Sequence, residues 1–170
     1  MEKIILKTSF GIFNGNKHED AYEFLGIPFA EAGRFEYGKP IGHYEEAVDA
    51  TVMGNACPQY RQYHPHLEDP ERLFYYREFR QGLEFKYDED CLNLNIYTPA
   101  VDGKKRPVLF NIHGGAFQTG DHALNSDPVG TTSMDCVLVT ASYRLGVLGF
   151  LQLDRYLGEE YIQSGNSGML

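Results

Sequence analysis

Three short apolar stretches set the pattern of the chain. Val108-Leu109-Phe110-Asn111-Ile112 is β-branched and aromatic with one polar position, a composition that suits a strand buried on both faces of a parallel sheet. Val137-Leu138-Val139-Thr140-Ala141-Ser142 reads as a second buried strand. The segment between them is long enough for a crossover, so the two can run parallel. Leu92-Asn93-Leu94-Asn95-Ile96-Tyr97 alternates apolar and polar residues, which predicts a half-buried strand. Thr98-Pro99 and Asp102-Gly103-Lys104-Lys105 end it in a turn. It is therefore expected as the antiparallel neighbour of the 108–112 strand.

Upstream, Ile4 to Leu6, Phe10 to Phe13 and Ala21 to Gly26 read as small antiparallel strands separated by turn residues. Gly26-Ile27-Pro28-Phe29-Ala30 then turns the chain. The clearest helix is predicted over 69–82. Asp69 is a good N-cap, Pro70 fits the first turn, and Gly82 can end the element. Asp127-Pro128 offers a weaker helix start. Tyr143 to Leu151 is turn-rich, Leu153 to Tyr161 is a charged surface with helical character, and Ser164 to Gly168 is a loop. No repeat, low-complexity stretch or linker interrupts residues 1–170, so they read as one unit.

Composition narrows the function classes. The 170 residues are 42% hydrophobic, enough for a core, and carry a formal charge of −9. That acidity argues against a nucleic-acid partner or an anionic membrane surface, both of which need a basic patch. The apolar run Ile4-Ile5-Leu6 is too short for a signal-peptide core, and nothing later approaches a membrane span. A cytoplasmic protein is the expectation. Three cysteines, Cys57, Cys91 and Cys136, favour free thiols in that compartment. A Cys57–Cys91 bridge, the open alternative, would restrict the unfolded chain by roughly 4 kcal/mol. Cys136 precedes an apolar run and reads as a small buried hydrophobe.

The chemistry concentrates where the 108–112 strand ends, in His113-Gly114-Gly115-Ala116-Phe117. The carboxyl end of a strand is where open α/β sheets bind ligands. Small side chains there leave peptide N–H groups free to converge on one oxygen. Acyl transfer needs that arrangement, because its tetrahedral intermediate carries a negative charge on the former carbonyl oxygen. A tight turn using glycine only for its backbone freedom is the plainer reading. The buried strand and His113 favour the oxyanion arm of lipase and esterase folds, in which a His-Gly-Gly-Gly-type loop follows a strand. Ala116 replaces the third glycine and keeps its N–H. His64-Pro65-His66 lacks an evident third ligand and reads as a solvated loop, so no metal is expected.

Several segments together carry a family resemblance. They are Glu89-Asp90-Cys91-Leu92-Asn93-Leu94-Asn95, the 113–117 loop, Phe24-Leu25-Gly26-Ile27-Pro28-Phe29-Ala30, Arg34-Phe35, Cys57-Pro58-Gln59, Tyr143 to Phe150 and Gly165-Asn166-Ser167-Gly168. The chain resembles the amino-terminal third of a type-B carboxylesterase, the family of cholinesterases and bacterial p-nitrobenzyl-esterase-like enzymes. The resemblance implies an α/β fold: small antiparallel strands, then the start of the mostly parallel central sheet of an α/β-hydrolase. It implies hydrolysis of small-molecule carboxylic esters by a Ser–Glu/Asp–His triad, with no cofactor.

Matched by position, the N–H groups of Gly115 and Ala116 become two oxyanion donors, and Gly114 shapes the loop. Arg34 and Glu89 match a structural ion pair, and Arg144 matches a structural arginine. Breaking a buried pair by removing one partner typically costs about 3–5 kcal/mol, so these are stability residues. Cys57 and Cys91 match half-cystines that are bridged in secreted members. Ser142 stands where Asn is usual.

A serine hydrolase also needs a Gly-x-Ser-x-Gly elbow, and no such motif occurs in the sequence. Gly165-Asn166-Ser167-Gly168 comes closest, with Met169 in place of the second glycine. In the family the nucleophile, its acidic partner and the catalytic His lie downstream of the matched region. The expectation is an incomplete carboxylesterase domain over 1–170, inactive alone, whose partner is the missing carboxyl-terminal part of the same enzyme. An apolar edge at the 137–142 strand is expected to lie open. Two other readings remain: a non-catalytic cholinesterase-like binding or adhesion domain, and the remnant of a truncated gene.

Overall fold

A computed structural model describes residues 2–59, 86–123 and 127–169. The predicted helix over 69–82 and the His64/His66 pair lie outside those residues. The hairpin at the amino terminus is formed by β1 (Glu2–Thr8) and β2 (Gly11–Lys17), paired from Glu2↔Lys17 to Thr8↔Gly11. β3 (Tyr22–Pro28) follows antiparallel to β2. The short pair β4 (Ala30–Glu31) and β5 (Lys39–Pro40) stands apart, and β6 (Val48–Asp49) adds to β2 in parallel. β7 (Asn93–Thr98), β8 (Val108–Ile112) and β9 (Val137–Ala141) complete a mixed sheet in the order β1-β2-β3-β7-β9-β8.

β3 continues to Pro28 instead of turning at Gly26. A register shift between Phe24 and Ile27 absorbs the irregularity. Gly26 adopts φ 65° there, and its N–H donates to the buried Asn95 Oδ1 at 2.9 Å. A side chain at Gly26 would press on the backbone of Val52 and Gly54. Asn95 Nδ2 donates onward to Thr140 Oγ1 at 3.3 Å, so one asparagine ties the β3 bulge through β7 to β9. The alternation in β7 is consequently inverted: Asn93 and Asn95 are the buried positions, and Leu94 and Ile96 are only half-buried. Buried carboxamides are stable where their hydrogen bonds are made.

β8 and β9 are parallel, from Val108↔Val137 to Ile112↔Ala141. The crossover between them holds α1 (Pro128–Ser133), whose N-cap Asp127 accepts from Gly130 N–H as the Asp-Pro signal predicts. The expected β7–β8 hairpin does not form, because β9 sits between them and pairs antiparallel with β7. The 99–107 connection is too long to enforce a tight turn. β8 is also not buried: Val108 is 62% and Ile112 61% exposed, and Phe110 is exposed too. It is the sheet edge, paired on one side only among the described residues. The open apolar edge is therefore β8, not the strand at 137–142, which is paired on both sides.

Three apolar clusters hold the sheet. Phe13, Phe24, Ile27 and Ala50 pack on one side; Leu25, Tyr97 and Leu138 form a second group; Cys57, Cys91 and Leu145 form a third. After β9 come α2 (Gly146–Phe150), α3 (Asp154–Leu157) and two single 3₁₀ turns. None of the helices among the described residues is long and apolar enough to cross a membrane.

Candidate active site

Parallel pairing of β8 and β9 brings their carboxyl ends side by side, His113 beside Tyr143. The two rings stack with centroids 4.3 Å apart and planes 13° from parallel. Tyr143 Oη donates to the His113 carbonyl at 2.8 Å, and burial raises the phenol's pKa. His113 is buried, and its Nδ1 lies 2.9 Å from the Gly114 carbonyl. A carbonyl only accepts, so this contact places the ring proton on Nδ1. The ring is held within the loop.

The loop beyond His113 is strained. Gly115 and Gly120 both adopt φ 129°, and the non-glycine residues Ala116 and Phe117 adopt φ 53° and 60°. Left-handed non-glycine residues typically cost about 1–3 kcal/mol each and persist only where the surroundings impose them. Here Gln118 and Thr119 N–H groups both donate to the Gly115 carbonyl, at 3.0 and 3.1 Å, closing a tight turn. Gly146 N–H donates to the Phe117 carbonyl at 2.7 Å. At the far end Gln59 pairs with Gly120 through both its carboxamide atoms.

The outcome of this folding is a row of exposed residues. Gly114, Gly115 and Ala116 are exposed, and no acceptor among the described residues takes their N–H groups. A Cβ on Gly115 would overlap the Thr119 carbonyl oxygen, and one on Gly120 would overlap the His113 ring. A Cβ on Gly114 would meet nothing within 4 Å. Gly115 and Gly120 are thus the glycines the turn requires.

The remaining sequence-selected residues fall in two groups. Arg34 and Glu89 form the ion pair, with Arg34 Nε 3.0 and 2.9 Å from the two Glu89 carboxylate oxygens and Nη2 closing the fork. It is a surface pair, however: the side chains are 63% and 36% exposed. The hydrogen bond from Arg34 holds the Glu89 carboxyl below its ordinary pKa. Arg144 is buried and carries Nη1 to Gly33 O at 3.3 Å and Nη2 to Ser167 O at 3.1 Å. Burial lowers its pKa.

Cys57 and Cys91 are fully buried free thiols. A hydrogen bond between them lowers the pKa of Cys57 and raises that of Cys91, and Cys57 Sγ accepts from Leu145 N–H at 3.1 Å. Cys136 is only half-buried.

Two serines lie near a strand or turn end. Ser142 is buried with its Oγ unpartnered among the described residues, and Ser167 Oγ is buried against the Leu148 and Gly149 carbonyls. No group of three His, Cys, Asp or Glu among the described residues could hold a metal. Sequence reasoning missed Gln59, Tyr143 and Gly120 as parts of the loop or its braces, although Gln59 and Tyr143 lie within the resemblance segments Cys57-Pro58-Gln59 and Tyr143 to Phe150.

The sequence profile of the carboxylesterase family matches residues 2–170. The chain belongs to the carboxylesterase family. It is 34% identical over 175 residues to the para-nitrobenzyl esterase of Bacillus subtilis, covering 98% of this chain and 32% of that enzyme. It is 37% identical over 155 residues to human carboxylesterase 3, covering 86% of this chain and 25% of that protein. Among solved structures, the Geobacillus stearothermophilus carboxylesterase superposes with a TM-score of 0.74 at 35% identity, over 96% of this chain and 31% of that one. The chain thus spans about a third of the length of such relatives, and its fold is that of the corresponding part of an α/β-hydrolase.

Proposed function

We propose that residues 1–170 are the amino-terminal part of a serine carboxylic-ester hydrolase domain and supply its oxyanion loop. The substrate class is a small-molecule carboxylic ester, in keeping with the para-nitrobenzyl esterase and carboxylesterases that the chain resembles. In this reading a serine beyond residue 170 attacks the ester carbonyl. The carbonyl oxygen takes up the electron pair of the broken π bond and becomes an alkoxide. Gly115 and Ala116 N–H groups donate to it, while Gly114, where a side chain would meet open space, leaves the shape of the loop to Gly115 and Gly120. The proton of the attacking serine hydroxyl moves to a histidine from the same downstream part. Arg34, Glu89, Arg144, Cys57 and Cys91 are then structural.

The observation that supports this most is the unsatisfied N–H row on a loop braced from behind. A turn using glycine only for flexibility has no need of braces on His113, Phe117 and Gly120. Those braces fix donors before the charge develops, which is where electrostatic catalysis gains most.

Expression of the 170 residues alone, assayed with a p-nitrophenyl ester, tests the division of labour. The expected turnover equals that of a Gly115→Pro control. Turnover above the control would place the nucleophile within this chain. Joined to the downstream two-thirds of the Bacillus subtilis enzyme, the same residues are expected to support hydrolysis.

A further inference from the structure

Gln59 lies 61 residues before Gly120 yet meets both polar groups of that residue. Its Oε1 accepts the Gly120 N–H at 2.9 Å, and its Nε2 donates to the Gly120 carbonyl at 2.8 Å. Nε2 also lies 3.2 Å from the Cys57 carbonyl. A side chain here makes the two-way pairing that a neighbouring strand would otherwise supply.

The base of this brace is itself fixed. Ala56 N–H donates to Lys86 O at 2.9 Å, and Ala56 O accepts from Asp88 N–H at 3.1 Å. Cys57 is fully buried and takes the Leu145 N–H. No helix or strand holds the described residues 113–123, so discrete contacts hold the shape of the loop. Tyr143 fixes its start and Gly146 its middle, while Gln59 fixes the end.

We propose that Gln59 is a positioning residue for the oxyanion loop: its carboxamide locks Gly120 and, through the turn closed on Gly115, sets the direction of the Gly115 and Ala116 N–H groups. The inference rests on the esterase reading above for its catalytic meaning. Its geometric content stands on Gln59 and Gly120 alone.

Two variants separate the possibilities. Gln59→Met keeps the chain length and removes both hydrogen bonds. Gln59→Glu keeps the shape, but an ionised carboxylate only accepts; the protonated acid both donates and accepts, as the amide does. Hydrogen exchange on the full chain reads the brace without any need for activity. Exchange across residues 118–120 is expected to quicken about tenfold in Gln59→Met, the ratio that one net hydrogen bond corresponds to, with the sheet unchanged. In Gln59→Glu, protection relative to the native chain should return as pH falls through the pKa of the new carboxyl.

Ester turnover in the enzyme joined as above reads the consequence. In Gln59→Met, kcat is expected to fall roughly 100-fold with KM nearly constant, the size of effect that a 1 Å misplacement can produce. Gln59→Glu should recover part of that loss as pH falls, measured as a ratio to the native enzyme at each pH. Unchanged exchange at 118–120 in Gln59→Met would overturn the brace. Faster exchange with unchanged kcat would overturn its positioning role. An inactive joined enzyme with the expected exchange pattern would remove the esterase reading and leave the brace supported.

Discussion

Tyr143 stacks on the His113 imidazole and donates its hydroxyl to the His113 carbonyl at 2.8 Å. The contact joins the carboxyl ends of two parallel strands at the point where the loop departs. Tyr143→Phe keeps the stack and deletes the hydrogen bond, leaving one carbonyl short of a partner. A net loss of about 1 kcal/mol in stability is expected. In an active joined enzyme the larger effect should be on kcat, because the loop entrance loses its fixed direction. Chemical denaturation and steady-state kinetics on the same preparation check both.

The glycines of the loop should respond unequally. Gly115→Ala and Gly120→Ala each place a Cβ into a neighbouring backbone or ring and impose a φ that L-residues resist. Both are expected to abolish ester turnover in the joined enzyme and to lower stability by a few kcal/mol, about 2–4. Gly114→Ala meets open space and should fold normally. Thermal melts of the three variants side by side test this.

The Arg34–Glu89 pair is formed but exposed. Arg34→Gln is therefore expected to cost little, as surface pairs do, and far less than breaking a buried pair. Its pH dependence follows from the lowered pKa of Glu89. A carboxyl depressed on folding stabilises above its unfolded pKa, and that contribution fades as pH falls through the folded value. Arg34→Gln should lose stability near neutrality and converge with the native chain in acid. Urea midpoints across that range give the answer.

Tyr97 supplies an alkaline counterpart. Burial and the Glu23 charge push its phenol up to about 12, so it folds as the neutral form. A pKa raised on folding stabilises fully below the unfolded value near 10 and loses that contribution between about pH 10 and 12. Tyr97→Phe should remove this part of the alkaline destabilisation. Comparing the stability of the two proteins from pH 8 to 11.5 measures it.

Much of this fold is readable from side-chain pattern, and the gaps have physical causes. The Asp127-Pro128 cap and the parallel relation of the 108–112 and 137–142 strands appear in the structure, but the turn residues Gly11, Asn14, Gly15 and Asn16 lie within β2, paired with β1. Strand order did not follow, because composition cannot show that β9 inserts between β7 and β8. Burial of β8 was misread for a related reason. Its residues are apolar enough for a double-faced core strand, yet exposure depends on what packs against it.

Asn93 and Asn95 misled in the opposite direction, since a buried carboxamide bonded to Gly26 and Thr140 has the same letter as a solvent-facing one. At the site, the glycines announced the loop. Its braces stayed hidden, because the Gln59–Gly120 pairing spans 61 residues and left-handed Ala116 and Phe117 carry no local mark.

The donor role of Ala116 can be isolated by exchanging its backbone N–H for an ester oxygen, incorporating the α-hydroxy counterpart of alanine at position 116. The substitution removes one donor and preserves side chain and backbone shape, while the Gly115 carbonyl that closes the turn becomes a weaker, ester acceptor. In the enzyme joined to the downstream part of its relative, kcat is expected to drop about 100- to 1,000-fold with KM nearly unchanged. A kcat equal to that of the all-amide enzyme would show that the Ala116 N–H does not hold the developing alkoxide.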